Sequence, residues 1–85
     1  MKMTNKILVT VVVPMLEEEY DIYIPVSKSV KVAAQLLVKT INELSGGHFP
    51  IKDKYKLLSS MGDVLSNSTT IKYSGLKNGD KIILI

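Results

Sequence analysis

Of the side chains that could carry acid–base or metal chemistry, His48 stands alone: it is the one histidine, and the chain has no cysteine. It lies in Gly46-Gly47-His48-Phe49-Pro50, with Glu43 and Asp53 as its nearest carboxylates in sequence. A metal site built on nitrogen and sulfur ligands cannot be assembled from these residues. No nucleophile–base pair accompanies the histidine either, so His48 reads as a solvated loop residue. Gly46-Gly47 lacks the Lys-Ser/Thr pair and opening helix of a phosphate loop, and reads as a helix stop. Glu17-Glu18-Glu19 could attract a cation, but an unconstrained run of like charges is better described as a solvated turn. Lys52, Lys54 and Lys56 alternate, so in a strand all three share one face and form a basic stripe. The sequence pI of 9.2 passes the rough threshold of ~9 for nucleic-acid binders. Such a site also wants stacking aromatics, and the neighbouring Tyr55 would face the other way. The stripe therefore reads as an edge strand kept from aggregating by its lysines, with an acidic protein surface as the partner it would otherwise suit. These residues predict no enzyme, no cofactor, no metal and no nucleic acid.

A chain of 85 residues, 46% hydrophobic and 22% charged, suits one small folded domain spanning residues 1–85. The net charge of +3 is mild, its lysines are scattered, and the absence of cysteine excludes a disulfide framework. Lys2 and Lys6 precede the apolar run 7–16, which superficially resembles an export signal. That run contains Thr10 and Pro14, meets the acidic triplet directly, and is too short for a membrane span of about 20 residues. It reads as a strand, and no direct membrane insertion is expected. Ile7, Val9, Val11 and Val13 then point inward by the period-two rule. Pro14 ends the ladder, Glu17–Glu19 form an exposed turn, and Tyr20, Ile22 and Ile24 alternate inward on a second strand, giving a hairpin.

Ser29 is the expected cap of a long helix whose buried stripe is Val30, Ala33, Ala34, Leu37, Ile41 and Leu44. Lys31, Gln35, Lys39, Asn42 and Glu43 take the other side, and Gly46-Gly47 ends it. Beyond the glycines the pattern predicts a third strand over 55–60, a brief fourth at Val64-Leu65, a short helical or irregular crossover over 71–76, a tight turn at Lys77-Asn78-Gly79-Asp80, and a final strand over 81–85. The fold class is α+β: a β-grasp of order β-β-α-β-β-β, with a mixed five-stranded sheet packed on one long helix. The first strand is central, antiparallel to the second and parallel to the last. Its apolar run Val11-Val12-Val13 fits a strand buried on both faces. On that arrangement Leu8, Val12, Ile83 and Ile85 share the sheet face turned away from the helix, where no second layer covers them. A contiguous exposed apolar patch marks an interface, so these four are the candidate protein-interaction residues, for a homodimer or another partner.

The stretch Tyr20-Asp21-Ile22-Tyr23-Ile24-Pro25-Val26, running into Val30-Lys31, resembles the second strand and helix start of YukD/EsaB-type proteins. These are the small ubiquitin-like proteins of type VII (ESX-like) secretion loci in Gram-positive bacteria. Gly75-Leu76-Lys77-Asn78-Gly79-Asp80 before a closing apolar strand is the second match. By spacing, the chain also resembles ubiquitin from the third strand onward: Leu58, Leu65, Ile71, Ile82 and Leu84 fall on core positions, and Ser59 falls where ubiquitin has the isoleucine of its partner-binding patch. The resemblance implies a cytoplasmic, non-enzymatic accessory protein acting by protein–protein contacts. The implied partners are the cytosolic parts of the membrane secretion complex, including its ATPase. Conjugated members of the fold need a Gly-Gly tail, and the sequence stops at Ile85. The expected role is thus a non-covalent adaptor, with a conjugated modifier or sulfur carrier of the same fold as the alternative.

Overall fold

The computed structural model describes residues 5–52 and 54–85. Strand β1 (Lys6–Val13) and strand β2 (Glu18–Pro25) form a full antiparallel hairpin, with Lys6 opposite Pro25 and Val13 opposite Glu18. Helix α1 (Val30–Leu44) follows, then β3 (Leu57–Ser59) and β4 (Lys81–Leu84). The sheet order is β2-β1-β4-β3, with β1 parallel to β4 and β4 antiparallel to β3. The central position expected for the first strand is therefore observed.

Local chemistry explains the boundaries. Pro14 cannot donate to the ladder, and Pro14–Leu16 instead form a 3₁₀ turn closed by the Glu17 N–H on the Pro14 carbonyl at 3.1 Å. Of the three glutamates, Glu17 alone occupies the left-handed region, at φ 54°. Glu18 and Glu19 have already entered β2. The acidic triplet is exposed, as predicted, but the turn is one residue of it rather than three.

Ser29 caps α1 as expected, its Oγ accepting the Val32 N–H at 3.1 Å. At the other end Gly46 and Gly47 adopt φ 68° and 88°, and the Gly47 N–H returns to the Asn42 carbonyl at 2.7 Å. The buried helix stripe is Val30, Ala33, Ala34, Leu37, Val38 and Ile41. Val38 replaces the predicted Leu44, which is 59% exposed. Leu44 lies in the last turn, on the wall of an open cleft with Leu16, Tyr20 and His48, past the packed part of the stripe.

The stripe packs on Val9, Val11, Val13, Ile24, Leu57, Ile82 and Leu84 from the sheet. Ile7, Tyr20 and Ile22, also expected inside, are partly buried against this core. Each large aliphatic or aromatic side chain sealed in this way contributes on the order of 1.5–3 kcal/mol. Phe49, next to the exposed loop residue His48, is the largest fully buried side chain among the described residues. Its ring stacks on Tyr55 with centroids 4.6 Å apart, and the Tyr55 hydroxyl donates to the Pro50 carbonyl at 2.7 Å.

Five strands are predicted, and the sheet has four among the described residues. The third strand shortens from 55–60 to Leu57–Ser59 because Ser59 turns its hydrogen bonding onto the following loop: its Oγ accepts from the Met61 and Asp63 N–H groups, both at 3.2 Å. The predicted fourth strand contracts to a single bridge, Leu58 with Val64. The crossover contains a 3₁₀ turn at Ile71–Tyr73. The turn into β4 closes with the Asp80 N–H on the Lys77 carbonyl at 3.0 Å, Gly79 supplying φ 91°.

Candidate functional site

The face of the sheet turned away from α1 is set by register, because directly paired residues point the same way. Val12 lies opposite Glu19 on β2 and Ile83 on β4; Ile83 in turn lies opposite Leu58 on β3, which bridges Val64. One continuous row therefore crosses the sheet: Glu19, Val12, Ile83, Leu58, Val64. Four of its five members are apolar. Val12, Ile83 and Leu58 are partly exposed and Val64 is 61% exposed. Ile85 follows Ile83 with the same facing and is half exposed, its backbone joined to that of Lys56 by bonds of 2.7 and 3.0 Å.

Leu8 does not join this patch. The row between is polar: Asp21, Thr10 and Lys81 are paired across β2, β1 and β4, and the Thr10 hydroxyl donates to Asp21 Oδ1 at 2.7 Å. Lys81 Nζ reaches over β1 to Glu19 Oε2 at 3.5 Å, a half-exposed pair worth about 0–1 kcal/mol. Leu8 lies beyond that row, opposite Tyr23, which is 62% exposed. Of the four candidate residues, Val12, Ile83 and Ile85 are brought together and Leu8 is set apart beside an aromatic ring.

Sequence reading missed Leu58 and Val64. Leu57 and Leu58 are both apolar, so alternation alone could not say which faces out. The pairing decides it: Leu57 and Ser59 lie opposite Leu84 and Ile82, both buried, and Leu58 lies opposite Ile83. The ubiquitin comparison by spacing is thus out of phase at this strand. Leu58 is not a core position, and Ser59, on the inward side, cannot stand for an outward patch residue.

The remaining candidates are dispersed. His48 is exposed, and its Nδ1–H donates to the Ser45 carbonyl at 2.6 Å, helping to close the end of α1. Lys52, Lys54 and Lys56 all precede β3 and are exposed. They make no strand stripe, because backbone pairing with β4 reaches back only to Lys56, opposite Ile85, and leaves Lys52 and Lys54 outside the ladder. Among the described residues, no group of three or more His, Asp or Glu side chains is gathered for a metal ion. No helix there is long and apolar enough to cross a membrane.

No protein-family model matches the sequence, and no curated protein is significantly similar to it. Solved structures do match. The ubiquitin-like domain of EccD5 from Mycobacterium xenopi superposes with a TM-score of 0.78 at 14% identity, over 96% of this chain and 94% of that one. The ubiquitin-like domain of EccD1 from the Mycobacterium tuberculosis type VII secretion system gives 0.75 at 13%, over 96% and 99%. A chain of the MycP5-free ESX-5 inner membrane complex gives 0.80 at 16%, over 96% of this chain but 21% of that one, so this chain spans about a fifth of its length. At these identities the likeness is one of fold, a ubiquitin-like β-grasp.

Proposed function

We propose that this chain is a non-enzymatic ubiquitin-like accessory protein of a type VII secretion system, of the YukD/EsaB type. It works in the cytoplasm by non-covalent docking of its outer sheet face on the membrane secretion complex, including its ATPase. The observation that carries the proposal is the apolar row Val12, Ile83, Leu58 and Val64, with Ile85 beside it, on a face that no second layer covers among the described residues. An apolar patch continuous across several strands is what a docking surface requires, since scattered surface hydrophobics do not line up. Two further considerations support it. The fold is that of ubiquitin-like domains named for type VII secretion proteins. The motifs around Tyr20–Val26 and Gly75–Asp80 resemble the small stand-alone members of such loci.

Genetic complementation tests the proposal. A native host lacking this gene should regain secretion through the system when supplied with the wild-type chain, and stay defective with Ile83→Asp at equal protein level. Full rescue by Ile83→Asp would remove the outer face from the mechanism. A ladder of larger species on immunoblots of the host lysate would instead favour covalent modification by a longer form of the chain.

A further inference from the structure

A second surface lies on the opposite side of the molecule, in the cleft between α1 and the segment leading into β3. Its floor is Ala34, Val38 and Tyr55, and its rim carries Lys31 and Gln35 on one bank and Lys52 on the other, with Asn67 closing one end. The pit at its centre has a volume of about 50 Å³, room for a methyl or hydroxymethyl group. Lys39, a turn beyond Gln35 on the same helix flank, continues the basic bank, and Lys54 follows Lys52; all four lysines are exposed. Asp53 lies outside the described residues. The one ion pair among the described residues is Lys81 with Glu19, on the far side of the sheet, so no described carboxylate is engaged with these four. Four of the seven described carboxylates, Glu17, Glu18, Glu19 and Asp21, sit on β2 and its turn, at the sheet edge opposite β3; Glu43, Asp63 and Asp80 lie elsewhere.

We infer that this cleft docks an acidic peptide segment of a partner protein, seating a small side chain on Ala34 and Val38 while its carboxylates meet Lys31 and Lys52. Three features select that occupant. The rim is cationic and the floor apolar, which matches a segment alternating Asp or Glu with Ala or Ser. The N–H groups opening α1 are already bound: those of Val30 and Lys31 donate to the Thr69 and Asn67 carbonyls at 2.8 and 3.2 Å, and that of Val32 to Ser29 Oγ. A phosphate would find no backbone cradle there, only ammonium groups on long stems. A nucleic acid would need an open aromatic face, and Tyr55 is stacked on Phe49 with its hydroxyl engaged.

The test is fluorescence anisotropy with a fluorescein-labelled peptide of alternating Glu and Ala, read alongside amide shifts in a ¹⁵N-labelled spectrum. The inference expects saturable binding, with shifts at Lys31, Gln35 and Asn67 and none at Ile83. The Lys31→Glu/Lys52→Glu variant should weaken binding by about tenfold or more. Lys6→Glu/Lys77→Glu, with the same change in net charge away from the cleft, should change it by less than about twofold. Equal loss in both variants would reduce the effect to net charge and overturn the site. Equal binding of the Gln-for-Glu peptide, shifts confined to the outer sheet face, or binding of a single-stranded oligonucleotide but not the peptide would each overturn it as well.

Discussion

Single side chains decide how the loop after α1 is held. Phe49 is sealed in the core, Tyr55 stacks on it, and the Tyr55 hydroxyl fixes the Pro50 carbonyl. Burial pushes the Tyr55 phenol above its ordinary value near 10, because desolvation disfavours the phenolate. The sign of the pH effect follows. A folded pKa above the unfolded one gives a contribution that is complete below about pH 10 and lost as pH rises through the folded value. Tyr55→Phe should lower the unfolding free energy by roughly 0.5–1 kcal/mol at neutral pH through the lost hydrogen bond. The wild-type minus variant difference, from urea titrations, should hold steady up to about pH 10 and shrink above it. A difference that is flat to the alkaline limit would mean the phenol is solvated. None of this was legible in the sequence. Phe49 follows two glycines and a histidine and precedes a proline, a context without periodicity, and its burial depends on the chain folding back beneath α1.

At the scale of elements, the sequence was readable wherever the chemistry is local. The Ser29 cap, worth about 1 kcal/mol, and the Gly46-Gly47 stop follow from backbone geometry that those residue types specify. The alternation of β1 and the later part of β2 fixes which residues face α1. Reading failed where pairing partners decide. The strand β3 has two consecutive leucines, so its facing was ambiguous until Leu58 paired with Ile83, and its length depended on Ser59 capturing the next turn. The β1–β2 turn is made by Pro14–Leu16 with Glu17, not by the three glutamates. Glu17 is the only described non-glycine residue at positive φ. A left-handed residue with a Cβ costs about 1 kcal/mol or more, partly offset for glycine by greater freedom in the unfolded chain. Glu17→Gly should therefore raise stability by roughly 0.5 kcal/mol, seen as a higher urea midpoint at unchanged slope. A lower midpoint would show that the Glu17 side chain contributes more than its backbone conformation costs.

The described residues form one sheet with a helix on one face and no second layer on the other, and that asymmetry is what the proposed function uses. The order of elements was sufficient to place β1 at the centre and to predict an outer apolar face. It could not show that Thr10, Asp21 and Lys81 divide that face, leaving Leu8 with Tyr23 and joining Val12, Ile83, Leu58 and Val64. The decisive measurement is affinity capture from detergent-solubilised membranes of the native host, using the wild-type chain, Ile83→Asp and Leu8→Thr, each first shown to be folded by its thermal melt. The account predicts that wild type and Leu8→Thr recover subunits of the secretion complex, identified by mass spectrometry, and that Ile83→Asp recovers none. Equal recovery by folded Ile83→Asp would contradict it.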